Sequence, residues 1–251
     1  MGPPQCSEAL ILRWRAYGES DKIVTFLTAD AGKLTGIAKG AKNSRRRFAN
    51  CLDPFCRVRV HFRTRPGATM VFMDSCDLLR PPGVLTDPTK FAYGSYLIEL
   101  VDLLTEEAHP VVELYNLLVE GLEGLCGGAA TAAFLRAFEL RLLHHAGYGP
   151  QLQRCAECDR RIDTSDRAYF DPSLGSIGCV TCCARRPALI PISGEALHVL
   201  ETMRTTGLSE VQSRHLTRPV ATETSQLMGY LLALHLRRPL RSTKLIAALA
   251  Q

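Results

Sequence analysis

Apolar and polar positions change their period along this 251-residue chain. Up to residue 80, apolar residues come in short alternating, aromatic or β-branched runs at 10–14, 23–28, 33–39, 56–62 and 69–72. Such runs read as strands. Ala29-Asp30-Ala31-Gly32 and Arg65-Pro66-Gly67 read as turns between them. Several short strands in so short a stretch predict a small closed barrel of the OB type, and the pattern alone leaves an SH3-like barrel open.

Pro81-Pro82-Gly83 breaks the chain, and the period then becomes helical. Apolar residues recur at helical spacing over 91–104 and 110–125. His109-Pro110 opens the second of these helices and Gly127-Gly128 closes it. A third runs from about residue 131 to His145 and stops at Gly147-Tyr148-Gly149-Pro150. Ser193-Gly194-Glu195 starts another, a further helix covers 222–236, and a short one follows Ser242. The fold class expected is a multi-domain α+β chain. Its parts are a barrel over 1–80, a helical domain over 84–151, a metal-binding insert over 152–187 and the rest of the helical domain over 188–251.

That insert rests on the cysteines. Cys155-x₂-Cys158 and Cys179-x₂-Cys182 flank 20 residues, the spacing of a four-cysteine zinc site. A two-residue gap lets two thiolates meet one ion from a tight turn, and two such turns complete a tetrahedron. Four thiolates leave no open position, so one structural zinc ion is expected rather than a catalytic one. Cys183 is the alternative to Cys182 as fourth ligand. Gly175 and Gly178 sit where the backbone should turn into the second knuckle, and Arg154, Arg160, Arg161, Arg185 and Arg186 should offset the thiolate charge. Cys6, Cys51, Cys56, Cys76 and Cys126 are scattered singly and read as small core hydrophobes or surface thiols.

Charge adds a second candidate. The net charge of +5 is unevenly spread, with balances of +7 over 1–80, −6 over 81–150 and +4 over 151–251. Basic ends around an acidic middle suggest separate surfaces, the basic ones suited to polyanions. Lys39, Lys42, Arg45, Arg46 and Arg47 crowd one predicted loop, followed by Phe48. Cations along a loop with an aromatic alongside suit single-strand binding on a barrel. Arg13, Trp14, Arg15, Lys22 and Lys33 would extend that surface.

Catalytic chemistry is not indicated. Phosphate-loop, nucleophile-elbow and His-Glu-x-x-His motifs are missing. Glu106-Glu107 read as solvated helix charges, and His144-His145 as a helix end with favourable cations. The lack of clustered carboxylates argues against a metal-dependent nuclease. No apolar stretch reaches membrane-spanning length, and residues 1–12 lack the pattern of a signal peptide, so a cytoplasmic location is expected, with no membrane partner.

Taken in order, these pieces resemble the bacterial RecO family of recombination mediators. The resemblance is carried by Gly18-Glu19-Ser20-Asp21-Lys22-Ile23-Val24, by residues 28–34, by Ala38-Lys39-Gly40-Ala41 and by Leu52-Asp53-Pro54-Phe55. Phe138-Glu139-Leu140 with Gly147-Tyr148, the four cysteines, and Pro239-Leu240-Arg241-Ser242 continue it. The resemblance implies an OB-fold, a helical domain and an inserted zinc finger. It implies a non-enzymatic protein that binds single- and double-stranded DNA, anneals complementary strands, and works with RecR and single-stranded DNA-binding protein so that RecA is loaded. It implies nucleoid association. It also places the acidic tail of single-stranded DNA-binding protein on Arg136 and Leu140, a helix face that sequence physics alone reads as core. Arg237 stands where the family usually has glycine, and Cys183 is additional. The alternative is an OB-plus-zinc accessory factor acting on RNA or in transcription.

Overall fold

The structure is a computed structural model and describes residues 2–183 and 189–249. Among these the chain divides into two compact units, one running to Cys126 and regaining the chain from Leu240, the other Gly127–Pro239.

The first unit is built on a closed barrel of β1 (Pro4–Tyr17), β2 (Asp21–Thr28), β3 (Gly32–Ala38), β4 (Arg57–Arg63) and β5 (Val71–Arg80). The order β1-β2-β3-β5-β4 closes on itself, with every pairing antiparallel except β3 with β5. This is the expected OB-fold, and closure removes the open edges of so small a sheet. β1 and β5 run longer than their apolar runs because each meets its two neighbours along largely different stretches, β1 pairing with β4 over 4–10 and with β2 over 9–17, and β5 pairing with β3 over 71–73 and with β4 over 72–80, so exposed polar residues are carried into the ladder. Phe26 and Phe62 meet edge to face at 6.1 Å in the barrel core, beside Ile11, Val24, Val58, Val60 and Met73. Cys51, Cys56 and Cys76 are buried in the same core, whereas Cys6 and Cys126 are exposed.

Helix α1 (Pro88–Leu104) follows, capped by Asp87, whose Oδ1 accepts from the N–H groups of Thr89 and Lys90 at 2.7 and 3.0 Å. Helix α2 (Val112–Gly127) buries Leu114, Leu118, Leu122 and Leu125, one stripe at helical spacing. Glu106 and Glu107 lie beyond the end of α1 rather than on it. Glu107 bridges to Lys33 of β3 and accepts from Thr35 Oγ1 at 3.0 Å.

The second unit holds α3 (Ala132–His145), the antiparallel strands β6 (Arg167–Asp171) and β7 (Ser176–Cys179), the short α4 (Val180–Cys183), and β8 (Ile190–Ser193) on the other edge of β6. Helices α5 (Gly194–Thr205), α6 (Leu208–Val211) and α7 (Arg218–His235) complete it. The three strands escape a reading of sequence pattern, since they are short and β8 is separated from its partner β6 by β7 and the second cysteine pair. The first unit's last helix is α8 (Thr243–Leu249). No helix among the described residues is long and apolar enough to cross a membrane.

Candidate metal centre and nucleic-acid interface

The first cysteine pair sits in a turn closed by backbone bonds. The Cys155 N–H donates to Arg160 O at 2.9 Å and the Asp159 N–H donates to Cys155 O at 3.0 Å. The Ala156 N–H donates across to Ile177 O of β7 at 2.8 Å, which brings this turn beside the second pair. Cys179 ends β7 and Cys182 follows one helical turn later.

The Sγ atoms of Cys155, Cys158, Cys179 and Cys182 lie within 4.8 Å of one another. Cys158 and Cys179 are 3.8 Å apart, and two thiolates each about 2.3 Å from one tetrahedral ion are separated by about that much. Burial pushes the Cys155 thiol up, but the backbone N–H groups of Cys158, Cys179 and Glu157 outweigh it and hold it at about 6. The Cys182 N–H holds Cys179 below the usual thiol range. Cys182 is raised, because its proton is shared with Cys179 and Cys158. Four cysteine sulfurs this close together offer soft donors that suit a soft or borderline cation, so these four residues could hold a metal ion.

Cys183 lies outside this cluster. It is 7% exposed, and its Sγ occupies the space a Cβ would need at Gly178. The two glycines therefore serve different ends. Gly175 has φ +65° in the β6–β7 turn, whereas Gly178 is inside β7 and makes room for Cys183. Among the arginines expected to offset the thiolates, Arg154 pairs with Asp159 at 2.8 Å and Arg160 with Asp166 at 3.0 Å. Arg185 and Arg186 lie outside the described residues.

The basic loop connects β3 to β4 and is anchored at both sides. Asp21 Oδ1 accepts from the Gly40 N–H at 2.8 Å, and the Lys42 N–H donates to Ser20 O at 2.9 Å. The Gly40 N–H holds the Asp21 carboxyl below the usual carboxylate range despite some desolvation, with Lys39 and Lys42 in support. Further on, the Cys76 N–H donates to Arg47 O at 2.8 Å, and Phe48, Cys51 and Leu52 enter the barrel core. Lys39, Lys42, Arg45, Arg46 and Arg47 consequently stay exposed on a fixed support. Arg47 donates to Lys39 O at 2.9 Å and Lys42 Nζ to Gly18 O at 2.7 Å, which orders the row further.

Lys22 Nζ lies 3.8 Å over the Trp14 ring. In the β1–β2 register Lys22 faces Ala16, so Trp14 is its diagonal neighbour on one face. Arg13 and Arg15 alternate onto the opposite face, where Arg13 Nε donates to Asp102 Oδ2 at 3.0 Å. The structure therefore gathers Trp14 and Lys22 with the loop cations and turns Arg13 and Arg15 away.

Two expectations are corrected. Lys33 is 8% exposed and is not a surface cation. Its Nζ donates to Asp102 O and Thr105 O at 2.5 and 2.8 Å, closing the end of α1. Arg136 and Leu140 form no open face in the second unit. Leu140 is 1% exposed, and Arg136 is held at 2.6 Å by buried Glu139. Sequence reasoning misses Ser44, Asn50 and Asp53, which line a cleft with Lys22, Lys42 and Arg45. Their polarity within a basic loop is the available signal.

The chain matches the family model described as Recombination protein O N terminal over residues 5–82, and that described as Recombination protein O C terminal over residues 85–244. It is 35% identical over 238 residues to a protein named DNA repair protein RecO from an Anaeromyxobacter species, covering 94% of this chain and 93% of that one. Proteins of the same name from Myxococcus xanthus and Geobacter sulfurreducens are each 35% identical over 243 residues, covering 96% of both chains.

Proposed function

The chain belongs to the recombination protein O family of DNA repair proteins, and from that premise we propose that it is a non-enzymatic recombination mediator whose barrel loop grips DNA by its phosphates. The carrying observation is the row of exposed cations on a loop pinned to the barrel core. Pinning matters because cations already in place lose less freedom when a strand arrives. Cations spaced along one edge can neutralise two strands at once, so complementary strands approach without bond chemistry. In this reading the protein binds single and double strands, anneals them, and works with RecR and single-stranded DNA-binding protein to bring RecA onto DNA in the cytoplasm. The four-cysteine cluster takes zinc, which would supply structure by tying the two turns together.

The test replaces Lys42, Arg45 and Arg46 together by alanine. For a single strand, log affinity against log salt should flatten by about 2, at roughly 0.7 for each phosphate no longer neutralised. Annealing should slow in parallel. Unchanged affinity and slope would remove the loop from the DNA surface.

A further inference from the structure

Trp14 is the sole tryptophan of the chain and is 40% exposed. An indole so exposed on a barrel strand contributes little to the core. Its edge is nonetheless held, because Nε1 donates to Asp53 Oδ1 at 3.2 Å. One ring face carries the Lys22 ammonium at 3.8 Å. Beside it opens the cleft lined by Lys22, Lys42, Ser44, Arg45, Asn50 and Asp53. Three cations of this lining, Lys22, Lys42 and Arg45, attract phosphate. Asp53 accepts from the indole N–H and so steadies the ring.

We propose that Trp14 is a stacking platform for one unpaired base of the bound strand, with Lys22 passing its ammonium from the indole to that strand's phosphate. The inference rests on the reading that the basic loop binds strand phosphates. An ammonium over an exposed ring is held weakly, and a base stacked on an aromatic ring is held more strongly. A phosphate arriving at Lys42 and Arg45 offers Lys22 a better partner, and the uncovered ring then accepts a base. Bases in a duplex are stacked on each other and present no free face. The platform accordingly favours unpaired strand, whereas the loop cations serve both forms.

Tryptophan emission reads only this residue. The full chain would be titrated with a thymidine oligonucleotide, an abasic strand of the same length, and a duplex, with affinities measured separately from labelled strands. Emission should be strongly quenched by the thymidine strand, whereas the abasic strand and the duplex, which only draw Lys22 from the ring, should not quench it. Trp14→Ala should weaken thymidine-strand binding by roughly five- to a hundredfold with the salt slope intact. Trp14→Phe should recover part of that loss, which a folding defect would not allow. Lys22→Gln should flatten the slope by about 0.7. If abasic and thymidine strands bind equally and emission is unmoved, while the loop variant still loses slope, stacking is refuted and the loop reading stands. If the loop variant binds like the parent, the loop reading itself fails.

Discussion

Replacing Lys33 by methionine separates a buried cation from a binding one. The side chain is 10% exposed and Asp102 is 8% exposed. The ammonium donates to two carbonyls, Asp102 O at 2.5 Å and Thr105 O at 2.8 Å, and Asp102 Oδ1 lies 3.3 Å away. Methionine fills much of the same volume but leaves both carbonyls and one carboxylate oxygen without their cation. Breaking a buried pair from one side costs about 3–5 kcal/mol, and Arg13, still 3.0 Å from Asp102, should hold the loss near the lower figure. By contrast, Lys42→Met removes one bond from an exposed ammonium to Gly18 O, worth about 1 kcal/mol or less. Urea unfolding followed by circular dichroism should show the large loss for Lys33→Met alone. DNA salt slopes should show the reverse, flattened for Lys42→Met and unchanged for Lys33→Met. Should Lys33→Met leave stability within 1 kcal/mol (roughly the exposed-pair range) and flatten the slope, Lys33 reaches the DNA and the burial argument is wrong.

If the four-cysteine cluster takes zinc as proposed, Cys182→Ser should lose zinc binding, measured by metal release and dye titration, while Cys183→Ser keeps one equivalent; the opposite pattern would make Cys183 the ligand. Gly178→Ala should destabilise the second unit by about 1–3 kcal/mol through overpacking, and adding Cys183→Ala should restore most of it in thermal unfolding; absence of rescue would break the link between the two positions. Leu140→Ala should cost about 2–5 kcal/mol as an interior deletion, and a variant as stable as its parent would put that side chain back on the surface. The Asp21 carboxyl is depressed, so its anchoring of the loop is complete above its ordinary value of 3.8 and is lost as pH falls through the lower folded value. Amide exchange at Gly40 should therefore stay protected at pH values of about 5 and higher and fail only in stronger acid; early loss of protection would contradict the assignment.

Much was legible without coordinates because its causes are local. Helix limits near Thr131 and Ser193 follow from caps that bond within three residues, whereas the first helix, expected from residue 91, begins at Pro88 behind the Asp87 cap. The metal pairs follow from a spacing that a single turn satisfies, and the barrel follows from short β-branched runs. The basic loop was legible as charge, though its rigidity was not, since its anchors come from Asp21, Ser20 and Cys76 elsewhere in the chain.

What tertiary structure alone decided is which side chain meets solvent. Lys33 and Lys42 are alike in sequence, yet the segment carrying Glu107 and Ala108 closes over β3 and buries only the first. Arg13 and Trp14 are neighbours, yet strand alternation sends one to Asp102 and the other to the cleft edge. Cys182 and Cys183 are adjacent, yet helical rotation turns one to the cluster and the other under Gly178. Residue type and spacing determined what chemistry was present. Burial depends on partners distant in the chain, and so which copy of each residue performs that chemistry was settled only by folding.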